Sequence, residues 1–244
     1  PEAWYGRGYP AELVRVVEQE FGQAGAVTGA KAGIRLLAAA TLLEHGTDTH
    51  KRAWLRRIIT GEDTWCQLFS EPGSGSDLAG ATTRADLRGD EWIINGQKVW
   101  TTSAHHANWG LLLARTDWNA PKHKGLTFFV INMHQPGVVV QPLKQMNGHA
   151  SFNEVFITDA VVPRENQVGQ IGNGWAVAMT TLAHERRRAD GLRSGSSDGD
   201  RRSYRRGRIH EEEDAENKTV LAPYTWYPQR AGRTDLALPQ AVAS

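Results

Sequence analysis

Cysteine, net charge and long apolar runs are all scarce in this chain of 244 residues. The single cysteine, Cys66, excludes a disulfide within the chain and is typical of a reducing compartment. Lys and Arg (28) almost balance Asp and Glu (27), so the overall charge gives no reason to expect a nucleic-acid partner. The longest apolar run, 34–43, is interrupted by Arg35 and falls short of the roughly 20 residues of a membrane-spanning helix. Together with the lack of a recognisable signal peptide, these features predict a cytoplasmic protein without a membrane span.

The glycine-rich segment 73–80 fails the spacing of three well-known ligand motifs. A dinucleotide-binding fingerprint requires a third glycine where Leu78 stands, and a P-loop requires lysine where Ala81 follows Gly80. A nucleophile elbow requires Gly-x-Ser-x-Gly, which residues 73–77 do not provide. The sequence therefore excludes these three sites but not another kind of glycine loop.

What the sequence does contain is an apolar segment, from Trp65, that leads into a loop of small and hydroxyl-bearing residues. Gly73 and Gly75 would allow positive φ and close approach to a ligand, so that consecutive N–H groups converge on an anion. Farther along the chain, Trp100 would cover the face of a ring. Hydroxyl groups that would bond to the ring's heteroatoms belong to Ser70, Thr101 and Thr102. The pattern favours a flat phosphorylated ligand, although an ordinary turn has the same composition.

The segment 69–80, Phe-Ser-Glu-Pro-Gly-Ser-Gly-Ser-Asp-Leu-Ala-Gly, resembles the flavin-loop signature of the acyl-CoA dehydrogenase family. Three later stretches, 93–103, 107–109 and 112–116, continue that family's pattern in order and spacing. The resemblance extends from about residue 5 to about residue 188. Several motifs in register over this length are far more specific than the glycine loop by itself.

The resemblance implies an α+β multidomain fold. Residues 1–63 correspond to an N-terminal helical domain, shortened at its start, and 64–170 to a middle β-barrel that binds flavin and acyl-CoA. Residues 171–188 correspond to the first helix of a C-terminal bundle whose other helices are missing or out of frame. Residues 189–244 are rich in charge, Gly and Ser with little apolar periodicity, which predicts an irregular tail.

Local patterns give the same division into helical and strand-rich parts. Apolar spacing of three to four predicts helices over 11–22, 34–43, 49–59 and from 175 to about 188. Short apolar runs between turn residues predict strands from 65 and over 92–94, 99–101, 110–114, 126–131, 138–140 and 152–157. Asn95-Gly96 predicts a hairpin turn between the second and third of these strands. In the first helix, one apolar face is formed by Leu13, Val16, Val17 and Phe21.

The resemblance also implies an FAD-dependent enzyme that oxidises an acyl-CoA to the 2-enoyl-CoA in fatty-acid or amino-acid catabolism. A carboxylate would remove the α-proton while hydride leaves Cβ for the flavin N5, and hydrogen bonds would stabilise the thioester oxygen. The flavin does the redox chemistry, and the protein positions and shields it. The implied partners are an electron-transfer flavoprotein and, with a complete bundle, further copies of the chain.

Eight residues correspond by position to the flavin site of the family: Gln67, Phe69, Ser70, Gly75, Ser76, Trp100, Thr101 and Thr102. The first three would line the flavin ring, and the next two would lie beside the pyrophosphate. The last three would cover the ring and bond to it, the N5 side being that of Thr102. For Trp100 the alternative is a core tryptophan on a hairpin.

The catalytic base predicted by the resemblance is Glu185. A minority of the family, including isovaleryl-CoA dehydrogenase-like members, uses this position, whereas most use a glutamate farther along the bundle. A salt-bridged helix residue is therefore the alternative for Glu185. Ser76, Glu185 and Arg186 form the predicted substrate-binding set, Arg186 as a CoA-contacting or structural residue. No metal site is predicted, because pairs such as His105-His106 lack a further ligand at helical spacing.

Two other functions are compatible with the same residues. One is a truncated relative that binds flavin or CoA and catalyses nothing. The other is a flavin monooxygenase of the same fold, which would consume oxygen and reduced flavin.

Overall fold

The computed structural model describes residues 1–25, 33–146 and 148–194. Its α-helices are α1 (Ala11–Gln23), α2 (Ile34–His45), α3 (Asp48–Thr60) and α4 (Gly174–Ser194). Its strands are β1 (Trp65–Leu68), β2 (Arg84–Arg88), β3 (Glu91–Thr102), β4 (Trp109–Arg115), β5 (Leu126–Asn132), β6 (Val138–Leu143), β7 (Phe152–Pro163) and β8 (Gln167–Val168). Every predicted helix and strand corresponds to one of these elements. Among the described residues, no helix is long and apolar enough to cross a membrane.

All eight strands belong to one sheet, in the order β6-β7-β3-β2-β4-β5-β8, and β1 pairs in parallel with β4 beside this path. The two ends of the path, β6 and β8, are not paired with each other in the described part of the chain. The sheet is therefore open, and the closed β-barrel implied by the resemblance is not confirmed.

Apolar side chains on the two faces of the sheet form two separate cores. Strands β4 and β5 lie between these cores, and their side chains alternate between them. One face packs against helices and includes Leu111, Leu113, Phe128 and Val130, whereas the other includes Leu112, Phe129 and Ile131. Burial on both faces explains why these two strands are continuously apolar in the sequence.

Helices α2, α3 and α4 pack on the first of these faces. Helix α3 contributes Trp54, Leu55 and Ile58, which are all buried. Helix α4 lies beside α2, where the buried hydroxyl groups of Thr41 and Thr181 form a hydrogen bond of 2.8 Å. This arrangement fixes the start of α4 next to the sheet.

Helix α1 is present as predicted, but its apolar residues are not buried. Leu13, Val16, Val17 and Phe21, predicted to form one face, are 36% to 50% exposed. The amphipathic pattern therefore predicted the helix correctly and did not predict its exposure.

The predicted hairpin turn at Asn95-Gly96 is wrong. Both residues lie inside β3, and the turn between β2 and β3 is at Gly89, which has a φ of 63°. Gly96 is instead packed against Thr83, because a Cβ there would lie 2.5 Å from Thr83 Oγ1 and 2.8 Å from Thr83 Cα. The glycine allows the neighbouring chain to approach closely instead of reversing the strand.

Helix α4 continues to Ser194, beyond the predicted end of the bundle helix at about residue 188. The irregular tail predicted for 189–244 is therefore wrong for its first residues. The remainder of that prediction, 195–244, lies outside the described residues.

Candidate functional site

The predicted flavin loop connects β1 to β2, and one buried carboxylate closes its base. Glu71, near the start of the loop, accepts hydrogen bonds from the backbone N–H groups of Thr82 (2.7 Å) and Thr83 (2.9 Å) and from the Thr82 hydroxyl (2.8 Å). The same carboxylate accepts a bond from Lys98 Nζ at 2.9 Å. Burial alone would raise the pKa of Glu71, but Lys98 and these hydrogen bonds outweigh it and hold the pKa at about 2.

Lys98 is completely buried in β3 and connects the loop to two strands. Besides Glu71, its ammonium donates to the carbonyl of Phe69 (3.1 Å) and to that of Leu113 in β4 (2.8 Å). Burial lowers the pKa of Lys98, and the Glu71 carboxylate opposes that shift. The three donors of the ammonium thus all have acceptors within the protein.

A second cation, Arg115 of β4, holds the far end of the loop. Its guanidinium is buried and donates to the carbonyls of Ala79 (2.7 Å) and Ala81 (2.9 Å). Next to these contacts, Lys122 bonds to Asp77 at 2.7 Å, and this bond lowers the pKa of the Asp77 carboxyl. Both ends of the loop are therefore anchored to the sheet.

The tip of the loop is open. Glu71 and Ser74 exchange backbone hydrogen bonds of 2.9 and 3.0 Å, which tighten the turn. A Cβ added at Gly73 or Gly75 would meet nothing within 4 Å. Neither glycine has a positive φ, so the expectation of left-handed backbone here is wrong. What these glycines provide is unobstructed access to the main chain beside Ser76, which is exposed.

Trp100 lies beside this loop in a strained conformation. Its φ is 59°, a left-handed value that is unusual for a bulky residue. The pairing of β3 with β7 shifts register between Lys98 and Thr101, and this irregular segment is called the Trp100 bulge below. The indole is 47% exposed and contacts Phe152 edge to face at 5.9 Å between centroids. Because the indole is exposed, the alternative interpretation of Trp100 as a core residue is wrong.

The other predicted flavin-site residues differ in burial and in hydrogen bonding. Gln67 Oε1 and Thr101 Oγ1 are buried and have no hydrogen-bond partner among the residues that the structure describes. Phe69 is buried against Phe128 at 5.8 Å, so its ring is part of the core. The Ser70 carbonyl accepts from Val99 N–H at 2.9 Å, which places the start of the loop next to the Trp100 bulge, and Thr102 is exposed.

The structure places Glu185 and Arg186 on α4 with exposed side chains. A base that removes a proton from carbon works best in a desolvated site, and none of the described residues buries Glu185. The described residues also contain no group of three or more His, Cys, Asp or Glu side chains that would hold a metal ion. The chemistry of the site therefore rests on the loop and the Trp100 bulge.

Sequence reasoning missed Glu71, Lys98 and Arg115. A signal for Lys98 existed, because the alternation of β3 puts it in phase with the buried Trp92 and Ile94. A lysine on a buried face requires an acidic partner, and the loop supplies one. No comparable signal identifies Arg115, which bonds to main-chain carbonyls.

Comparison with known proteins gives one consistent family. The profile described as "Acyl-CoA dehydrogenase, middle domain" matches residues 66–160. Acyl-CoA dehydrogenase FadE34 of Mycobacterium tuberculosis is 48% identical over 183 residues. The chain belongs to the acyl-CoA dehydrogenase family. The alignment covers 75% of this chain but 26% of FadE34, so the chain spans only part of this relative.

Solved acyl-CoA dehydrogenase structures resemble this chain over a similar length. The structure titled Tcur3481-Tcur3483 steroid ACAD has a TM-score of 0.66 and 32% identity, covering 76% of this chain and 48% of its own. A glutaryl-CoA dehydrogenase from Mycobacterium smegmatis in complex with FADH2 has a TM-score of 0.53 and 26% identity, covering 60% and 36%. The chain therefore corresponds to about half of the first of these proteins and about a third of the second.

Proposed function

We propose that this chain is the flavin-binding part of an acyl-CoA dehydrogenase, which oxidises the Cα–Cβ bond of an acyl-CoA to give the 2-enoyl-CoA. The proposal includes FAD as the cofactor and an electron-transfer flavoprotein as the electron acceptor. Family membership supports the reaction type. The geometry of the loop and the Trp100 bulge supports the cofactor.

The observation that carries the proposal is the conformation of Trp100. A left-handed φ costs energy for a bulky residue, and such strain persists at sites where the surrounding structure or a ligand depends on it. An indole that is 47% exposed also leaves a large apolar surface in water. A flat ring bound against this indole would cover that surface.

The polar groups around the bulge also fit a flavin. The ring carries hydrogen-bond donors and acceptors on its edge, and the buried Gln67 Oε1 and Thr101 Oγ1 lack partners in the described part of the chain. Gly73 and Gly75 leave the loop backbone accessible to an anionic group such as a pyrophosphate. FAD, when bound, supplies the acceptor for the hydride that leaves Cβ.

The remaining part of the reaction is removal of the α-proton, for which the proposed base is Glu185. Its side chain is exposed in the described structure, so proton transfer would require further residues that desolvate the carboxylate. Ser76 at the loop tip and Arg186 on α4 are the proposed contacts to the CoA part of the substrate.

The first experiment is a visible absorption titration of the purified chain with FAD, followed by acyl-CoA thioesters. Steroid, glutaryl and short straight-chain thioesters form the panel, because steroid and glutaryl appear in the names of solved relatives. We expect FAD to bind and one thioester class to bleach the oxidised flavin band. If correctly folded protein does not bind added FAD, the proposal is contradicted.

The affinity for FAD is then compared between a variant at Trp100 and a control variant at an exposed aromatic residue outside the site. Trp100→Ala should weaken FAD binding about tenfold or more, since stacking on an aromatic face contributes about 1–3 kcal/mol. Tyr9→Ala removes an exposed aromatic ring, 51% accessible, that belongs neither to the loop nor to β3, and it should leave the affinity unchanged.

A second candidate function is a flavin- or CoA-binding module without catalysis. The exposed position of Glu185 favours it, because the described residues do not create a desolvated base. In the same titration this candidate predicts that FAD binds and that no thioester bleaches it.

A further inference from the structure

We infer that the buried ion pair of Glu71 and Lys98 is a positioning device that sets the register between the flavin loop and the Trp100 bulge. This inference rests on the proposed flavin function for its consequence and on the contacts of the pair for its geometry. Neither residue reaches the open face of the loop, since both side chains are almost completely buried. Each therefore acts through the backbone that it holds.

The contacts of the pair join four separate stretches of chain. Glu71 draws the start of the loop to Thr82 and Thr83, where the loop ends. Lys98 adds the carbonyls of Phe69, just before the loop, and Leu113, in β4. Removing either charge would leave several of these donors or acceptors without a partner and would weaken the attachment of the loop to β3.

The same contacts restrain the strained residue. Lys98 lies two residues before Trp100, and Val99 N–H donates to the Ser70 carbonyl at 2.9 Å. On the other side of the bulge, the Asn153 side chain donates to the Thr101 carbonyl at 2.9 Å. A left-handed tryptophan requires restraint of this kind on both sides, and on one side Lys98 supplies it together with the bond between Val99 and Ser70.

Stability alone does not explain a buried ion pair. Desolvation of two charges offsets their attraction, so apolar residues of similar volume often stabilise a fold as well or better. Fixing one register among several is the best-supported use of such groups. The position of this pair, between the flavin loop and a strained bulge, matches that use.

The test compares four variants of the whole chain. Lys98→Met and Glu71→Gln each remove one charge at nearly constant shape, and the double variant removes both, so that no unpaired buried charge remains. Leu55→Ala is the matched control, because Leu55 is buried in α3 and forms none of the contacts of the ion pair. Hydrogen exchange of the amides of Ser74, Thr82 and Thr83 is measured without flavin, and the FAD dissociation constant is measured separately.

We expect exchange at these loop amides to accelerate about tenfold or more in the single and the double variants, because their local protection depends on the pair. The FAD dissociation constant should rise by a similar factor. In the double variant, the free energy of global unfolding should be closer to the wild-type value than in the single variants, while the loop amides still exchange fast. Leu55→Ala should lower global stability without selectively accelerating the loop.

The inference would be overturned if the loop amides of the double variant exchanged at the wild-type rate. It would also be overturned if Leu55→Ala accelerated their exchange as much as the variants of the pair do. If the single variants fail to fold, the double variant and the control decide the question. If wild-type protein binds no FAD, the proposed function fails, whereas the exchange measurement still tests the positioning role.

Discussion

Helices α1 and α3 each contain 13 residues, yet the structure holds them in different ways. On α3, Trp54, Leu55 and Ile58 are buried against the sheet. Trp54 contacts the rings of His50, Trp65 and Trp109. The apolar residues of α1 are exposed. The sequence of α1 has the more regular amphipathic pattern of the two, so pattern and burial do not go together here.

Hydrogen bonds at the ends of α3 add to this packing. Helix α3 begins with a capping box, in which Thr47 and His50 exchange side-chain and backbone hydrogen bonds of 3.2 Å, and ends at Gly61 with a left-handed φ of 79°. In the last turn of α3, Arg57 donates two hydrogen bonds of 2.7 Å to the buried Asp63, which lies just beyond the helix. Packing and caps together fix α3, which shows that a helix is positioned by its contacts and not by its periodicity.

The largest expected difference between the helices is at their aromatic residues. Trp54→Ala should lower the free energy of unfolding by about 3–5 kcal/mol, because it removes a buried indole and leaves a cavity beside three other rings. Urea unfolding followed by far-ultraviolet circular dichroism measures this change. Trp54→Phe retains part of the ring packing and should cost less. A loss below about 1 kcal/mol for Trp54→Ala would show that α3 is no better packed than α1.

A smaller effect is expected at the start of α3. Thr47→Ala removes the capping hydroxyl and should cost about 1 kcal/mol in the free energy of unfolding. Thr49→Ala in the same turn is the control, since Thr49 is exposed and alanine favours the helix. Equal stability of the two variants in urea unfolding would contradict a role for the cap.

Much of the fold could be predicted from the sequence because local patterns report local structure. Three-to-four spacing identified the helices, and the apolar runs of β4 and β5 identified strands buried on both faces. The turn at Asn95-Gly96 was predicted wrongly, because the same dipeptide serves a hairpin or a close contact. Which one applies depends on Thr83, a residue of another segment whose position the local sequence does not reveal.

The candidate site shows the same limit more sharply. The resemblance pointed to the loop and to Trp100, and the structure brings these together through the bond between Val99 and Ser70. It did not reveal that Glu71 and Lys98 pair, since 27 residues separate them in the chain. Contacts between distant segments are decided by the whole fold, whereas motif spacing describes only the segments themselves.

The smallest effect is expected on α1, and it tests the comparison from the other side. Phe21→Ala should change the free energy of unfolding by no more than about 0.5 kcal/mol, because the ring is 43% exposed and no cavity forms. Alanine also has the higher helix propensity, which offsets part of any lost contact. Urea unfolding at two protein concentrations measures this change. A loss above about 1.5 kcal/mol would show that the apolar face of α1 is buried in solution, since only buried large-to-small substitutions reach that size. If the loss appeared only at the higher concentration, the burial would come from another copy of the chain, because association stabilises by mass action.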